Sequence, residues 1–405
     1  MPTSIRALFI TGEFPPMQGG VGDCTNEIAR GLTALNADVQ VLTSAQASVG
    51  NSDRVADLRA PVPVRRDIAS WGWSSLQAVA RAAREFAPDV VHIQYQTGAF
   101  GMHPAVNFLP HYFRLCVSDT ARARRPQVVV TFHDLRIPYL FPKAGPVRKW
   151  VTQTLARSSD AAIATNEEDY HKLKAWDVRR LSLIPIGSNI SARPPLQYDR
   201  VAWRARLGVA EGETLLCYFG FLNESKGGET LVRALAEVPG ARLIMIGGQV
   251  GASDPTNVAN LAKVKALIEE LGLVDRVLWT DYAPPEIVTA NFLAADLCVL
   301  PYRDGASYRR GTLMAALAHG MAIITTATKT ETLDPTSLQP ALRDGENCLL
   351  VPPDDVHGLA AAILRGTASP ELRGKISAGA RVLSEYFTWD KIALQHLELY
   401  RQLGV

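Results

Sequence analysis

Two short apolar runs, Ala295 to Leu300 and Met321 to Thr326, bracket a twenty-residue segment that reads PYRDGASYRRGTLMAALAHG from Pro301 to Gly320. Its first half is made of turn formers and charge, and its second half of good helix formers stopped by a glycine. The segment therefore spells loop and helix between two strands. In an open parallel sheet, ligands collect where strand carboxyl ends meet helix amino ends, because free N–H groups and the helix dipole favour an anion there. Arg309 and Arg310 stand at that helix mouth, with Gly311 and Thr312 as its first residues and Ser307 just ahead. A bound phosphate is the expectation; the alternative is a pair of solvated charges on a βα loop.

The same alternation runs through the whole chain. Strands are expected at Ala7–Ile10, Asp38–Leu42, Val62–Arg65, Asp89–Gln94, Gln127–Phe132, Ala161–Thr165 and Ser182–Pro185. A crossover rich in turn residues follows to Pro195, and six more strands are expected at Leu215–Phe219, Arg242–Ile246, Val277–Thr280, Leu297–Leu300, Ala322–Thr326 and Cys348–Val351. With 405 residues there is material for two parallel α/β domains, read as 1–190 and 191–387. An amphipathic helix with Leu394, Leu397, Leu399 and Leu403 as its apolar content closes the chain over 388–405.

Three loops carry candidate chemistry. Thr11 to Asp23 (TGEFPPMQGGVGD) leads into a helix expected from about Thr25, and Gly19 and Gly20 let a ligand come close to the backbone there. The spacing is not the dinucleotide fingerprint, and plain loop punctuation is the alternative. His133 follows a strand directly, where imidazole can bond a sugar hydroxyl or exchange a proton, with Asp134 as its expected orienting group. Lys226 stands before a helix mouth in GFLNESKGG, placed to neutralise a leaving diphosphate. Gln94, Tyr95 and Gln96 are acceptor-contact candidates, and Trp71 and Trp73 are read as core-packing or helix-staple groups, with stacking on a sugar or contact with a membrane surface as the alternatives.

A net charge of +2, from 42 Lys+Arg against 40 Asp+Glu, gives no mandate for nucleic acid. The five scattered cysteines form neither a disulfide framework nor a zinc site and are expected to be buried in a reducing compartment. The amino terminus enters a strand too soon for a signal peptide, and no apolar run approaches the ~20 residues of a membrane span. A cytoplasmic protein is expected. Arg122, Arg124, Arg125, Arg148 and Lys149 make the first half locally basic; solvated helix faces explain this, with weak peripheral contact with anionic lipid as the alternative.

Taken in order, FPPMQGGVGD, PDVVHIQ, VVTFHD, IPIGSN, GFLNESKGGETL, AADLCVLPY, AALAHG, DGENCLLVPPDD and FTWDKIALQHLELYRQL resemble the family 4 glycosyltransferases of the GT-B type over nearly the whole chain. The resemblance implies two facing Rossmann-like domains with a cleft between them and the last helix crossing back to the first domain. It implies retaining transfer of a sugar from a nucleotide-sugar donor to a carbohydrate, lipid-linked or small-molecule acceptor, with no cofactor and no required metal. Gly20 takes the place of the glycine near the donor diphosphate, His133 of the histidine near the transferred sugar, Lys226 of the diphosphate lysine, and Gly311 and Thr312 of the helix mouth. Three positions depart from the family pattern. Phe221 stands where an arginine is frequent, and Ser307 and Ala315 stand where most members carry paired glutamates. Arg309 and Arg310 are the expected replacements for the lost charge. The missing glutamates also admit a degenerate binding or scaffold subunit, and a sugar-nucleotide epimerase on the same fold is the other alternative.

Overall fold

A strand covered by helices on both faces has no polar side to show, and most strands of this chain are apolar, the edge strand Val64–Ile68 (VRRDI) apart. The computed structural model describes residues 4–17, 19–45, 62–116, 125–135, 145–248, 256–327 and 337–405. They fall into two units, Met1–Gly187 with Trp389–Val405, and Ser188–Thr388.

The first unit holds seven strands: β1 (Arg6–Thr11), β2 (Asp38–Ser44), β3 (Val64–Ile68), β4 (Val90–Tyr95), β5 (Gln127–Phe132), β6 (Ala161–Ala164) and β7 (Leu181–Leu183). They form one parallel sheet in the order β3-β2-β1-β4-β5-β6-β7. The second unit has β8 (Thr214–Phe219), β9 (Ala241–Ile246), β10 (Val277–Trp279), β11 (Leu297–Leu300), β12 (Ile323–Thr326) and β13 (Leu349–Val351), parallel in the order β10-β9-β8-β11-β12-β13. All thirteen expected strands are present, two of them with the expected ends and the others with an end shifted by up to three residues. The strand order reverses between β1 and β4 in one sheet and between β8 and β11 in the other, which opens a crevice at the carboxyl edge of each.

Period-two alternation divides the first core cleanly. Leu8 and Ile10 pack with Ile93, Val130, Phe113 and Leu155 on one face, and Ala7 and Phe9 pack with Ile28, Leu32, Ile392 and Tyr400 on the other. The second face is shared by the helices Gly20–Ala34 and Trp389–Gln402. They approach so closely that a Cβ on Gly31 would fall 2.6 Å from that of Ala393. The buried stripe of the last helix runs through Ile392, Ala393, His396, Leu397, Leu399 and Tyr400, while Leu394 is exposed. Its position on the outer face of the helix removes Leu394 from the expected apolar content.

That stripe carries polar groups into the core. His92 of β4 is fully buried, with Nδ1 2.6 Å from the Tyr400 hydroxyl and Nε2 2.7 Å from Thr131 Oγ1. The His396 ring lies 5.5 Å from that of His92, and its Nδ1 donates to the Ile392 carbonyl at 2.8 Å. Burial pulls the His396 pKa down to about 4. It also pulls His92 well below the ordinary range, helped by His396 and His133.

Two smaller expectations change. The helix expected from Thr25 begins at Gly20, for a reason given below. Four cysteines are buried, but Cys116 ends a helix on the surface. The two tryptophans also part company: Trp71 is buried with its Nε1–H donating to Ser44 Oγ, and Trp73 is exposed.

A lowered imidazole pKa has a definite sign for stability. Between about pH 6.5 and pH 4 the unfolded chain binds protons that the folded chain refuses, so stability is lost as pH falls through that window. For His396 the loss reaches about 3 kcal/mol. Denaturant midpoints at pH 7.5 and pH 5 should therefore separate strongly in the wild type and less in His396→Gln. Equal separation in the two proteins would show that His396 titrates normally.

Candidate functional site

The chain presents a glycine-rich helix mouth in each unit, and the two are electrostatically opposite. In the first unit the Glu13 carboxylate reaches forward eight residues, and its Oε1 accepts from the N–H groups of Val21 (3.0 Å) and Gly22 (3.3 Å). This cap starts the helix at Gly20, a turn earlier than its apolar pattern suggests. The Gly19 backbone lies against the same carboxylate, where a Cβ would sit 2.0 Å from Oε1. Burial raises the Glu13 pKa despite these two hydrogen bonds. A carboxylate therefore fills the helix mouth that Gly19 and Gly20 were expected to offer to a diphosphate. Gly20 itself has open space at its Cβ position.

On the same sheet edge, His133 Nε2 is 2.7 Å from Gln94 Oε1, so Gln94 takes the orienting position at that nitrogen for which Asp134 was named. Burial, then the charge of His396, pulls the His133 pKa down to about 4 and leaves a neutral imidazole. Gln94 is buried, and its Nε2 has no hydrogen-bond partner among the described residues. Tyr95 is likewise buried, with its hydroxyl accepting from Asn107 Nδ2 at 3.0 Å.

The second unit gathers its candidates at the β8/β11 crevice. Gly220 leaves β8 with φ +109°, and a Cβ there would lie 2.5 Å from Thr312 Cγ2 and 3.0 Å from Lys226 Nζ. Gly220, Lys226 and Thr312 thus converge on one spot. Lys226 ends a short 3-10 turn, Glu224–Lys226, held in place by Gly227. With φ +68°, Gly227 passes so near Pro301 that a Cβ would fall 1.9 Å from its carbonyl oxygen. The loop from Pro301 is pinned onto the sheet: Ala306 N–H donates to the Thr326 carbonyl, Thr326 Oγ1 to the Tyr302 carbonyl, and the Tyr308 hydroxyl to the Pro340 carbonyl.

The helix Gly311–Ala318 opens with no side-chain cap. Thr312 Oγ1 is 2.6 Å from the Tyr302 hydroxyl, and the Arg310 guanidinium lies 4.2 Å from the centre of the Tyr302 ring. Asp304 pairs with both arginines, Arg309 at 3.3 Å and Arg310 in closer contact. Arg309 and Arg310 are therefore not the bare charges expected from sequence. The least compensated cation is Lys226, which has no carboxylate partner among the described residues. Burial, then the Arg310 charge, pulls its pKa down to about 7.

At the positions departing from the family pattern, Phe221 packs its ring on Gly248, Ala315 is buried and apolar, and Ser307 accepts the Arg310 N–H on its backbone carbonyl. Sequence reasoning missed Glu13, Gly220, Tyr302 and Asp304. A glycine directly after an apolar strand was a signal for Gly220. Nothing local announces that Glu13 caps a helix eight residues away.

Residues 19–187 match the model of the Glycosyl transferase 4-like domain, and residues 213–368 that of Glycosyl transferases group 1. The chain belongs to the family 4 glycosyltransferases. Among curated relatives, the D-inositol 3-phosphate glycosyltransferases of Xylanimonas cellulosilytica and Rhodococcus erythropolis are 29% identical over 259 residues and 28% over 268. Each alignment takes in 62% of this chain but only 58% and 56% of the relative, so the match spans little more than half the length of either. Two solved structures share the GT-B fold at full length. Sucrose-phosphate synthase of Thermosynechococcus elongatus has TM-score 0.74, 23% identity and 99% coverage of both chains. Anabaena HepE in complex with UDP and glucose has TM-score 0.76 and 18% identity, covering 98% of this chain and 100% of that chain.

If Glu13 holds the first helix mouth closed, Glu13→Ala should lower stability by about 1 kcal/mol. It should also make the melting temperature rise with added sulfate, which the wild type should not do. A sulfate response equal in both proteins would show that the carboxylate does not exclude anions.

Proposed function

We propose that this glycosyltransferase takes its sugar from a nucleotide-sugar donor whose diphosphate lies against Lys226, Gly220 and the opening of the Gly311–Ala318 helix. The observation that carries the reading is Lys226, a cation whose burial is not offset by any carboxylate among the described residues. Such a group is costly unless an anion completes it. HepE, solved with UDP-glucose, has the same fold, which agrees with such a donor.

In this reading the leaving nucleoside diphosphate gains negative charge as the glycosidic bond breaks. Lys226, Arg310 and the helix N–H groups meet that charge with the chain's own cations and need no metal ion for it. Tyr302 fixes Arg310 from below by ring contact and orients Thr312 through its hydroxyl. Gly220 must remain a glycine, because any side chain would occupy the space between Lys226 and Thr312. In the first unit the neutral His133 and the unpartnered amide nitrogen of Gln94 are assigned to hydroxyl groups of the sugars. Retention of configuration fits a displacement on the face the leaving group departs from. The acceptor is a carbohydrate, lipid-linked or small hydroxyl compound.

Two measurements test this reading. Nucleoside diphosphates should raise the melting temperature of the wild type by mass action, and Lys226→Ala should abolish the shift and lower kcat/KM by roughly 10²–10³. Because the Lys226 pKa is lowered to about 7, its positive charge fades as pH rises through that value, so diphosphate affinity should weaken from pH 6.5 to pH 8.5. In Lys226→Arg, which stays charged, the affinity should be flat over that range. A melting temperature indifferent to every nucleoside diphosphate would overturn the donor site.

A further inference from the structure

Two central strands of the first unit carry buried polar side chains where apolar ones would serve. His92 and Gln94 alternate with Val91, Ile93 and Tyr95 on β4, and Thr131 of β5 lies beside Gln94 in register. All three are buried. The alternation of a strand puts them on one face, the face on which His92 meets Tyr400 of the last helix. His133 follows two residues after Thr131, and its N–H still bonds the Tyr95 carbonyl at 3.0 Å, so the β4/β5 ladder carries it.

His92 is bonded at both ring nitrogens, by Tyr400 and Thr131. Gln94 is bonded at one end only. Its Oε1 accepts from His133 Nε2 at 2.7 Å, while its equally buried Nε2 has no partner among the described residues. A core gains nothing from such a residue, since an apolar side chain of similar length would leave no N–H group unpaired. The use of Gln94 therefore lies in its bond to His133.

That bond fixes a proton. An amide oxygen carries no hydrogen, so His133 Nε2 is the donor. Burial, then the charge of His396, keeps the ring neutral, and a neutral imidazole has one N–H. Nδ1 is left with a lone pair and no partner among the described residues. A carboxylate at position 94 would accept the same hydrogen bond, but it would also favour the imidazolium, which donates from both nitrogens. A neutral acceptor selects one tautomer of a neutral ring.

We propose that Gln94 is a positioning residue that holds His133 as the Nε2–H tautomer, so that Nδ1 offers the substrate a hydrogen-bond acceptor. The group seated at Nδ1 is then a hydroxyl or an amide N–H, and a carboxylate or phosphate oxygen is refused because two acceptors would face each other. The assignment rests on the reading above, in which His133 meets a sugar.

Protein labelled with nitrogen-15 at histidine tests the tautomer without any ligand. At pH 7.5 the His133 ring, identified by the signals that His133→Gln lacks, should be protonated at Nε2 and unprotonated at Nδ1. Gln94→Leu should move both signals towards a mixture of tautomers, with unchanged His92 signals as the control for folding. Gln94→Glu, which keeps an acceptor oxygen and adds charge, should protonate both nitrogens. UDP-glucose, the ligand of HepE, serves as the sugar probe. It should shift the wild-type Nδ1 signal, and its affinity should fall about fivefold in Gln94→Leu. A His133 ring protonated at Nδ1 in the wild type would overturn the assignment. So would spectra unchanged by both substitutions, or an Nδ1 signal unmoved by UDP-glucose that raises the melting temperature. UDP-glucose that leaves the melting temperature unchanged counts against the donor site alone, since the tautomer is read in the free protein.

Discussion

An ammonium group held in a half-buried position without a counter-charge is a standing cost, and the second unit is built so that Lys226 cannot escape it. The 3-10 turn that carries the lysine is locked under Pro301 by Gly227, the one residue type that passes that carbonyl at φ +68°. The loop from Pro301 is itself pinned to β12 by Thr326 and Ala306. In the proposed function that charge is held ready for the donor diphosphate, which is the sense in which such a site is preorganised.

The two helix mouths solve one electrostatic problem in opposite ways. Both lie at strand-order reversals of parallel sheets, where helix N–H groups concentrate positive potential. In the first unit Glu13 neutralises that potential internally, so the loop is left with a carboxylate in its midst. In the second the Gly311–Ala318 helix opens without a side-chain cap beside Lys226, and the arginines next to it are tempered by Asp304. In the proposed reading one edge suits hydroxyl groups and the other phosphate. Equivalent topology thus supports a division of labour between units that the glycines alone would not reveal.

The positions where the family pattern is broken become intelligible in this setting. Tyr302 is buried beneath Arg310 and tied to Thr312, so the polar work at the helix mouth passes to an aromatic shelf and an anchored guanidinium. Phe221 fills space against Gly248, and Ala315 joins the core. A glutamate at Ser307 would add negative charge beside Arg310, which would oppose the diphosphate site proposed above.

The strands and their parallel arrangement were legible in the sequence because each reflects a local rule: apolar runs of strand length separated by helix-length segments admit few other folds. The basic stretch and the family motifs were legible for the same reason. What the sequence alone left open depended on distant partners. Gln94 and His133, and His92 with Tyr400 across 308 positions, meet only when the sheet forms, while Glu13 with Val21 and Asp304 with the two arginines meet through loop conformations that no local pattern announces. Only the tertiary structure decided which charges are spent inside the protein and which stand ready for a ligand, because compensation is a matter of distances of a few ångströms that sequence spacing does not encode.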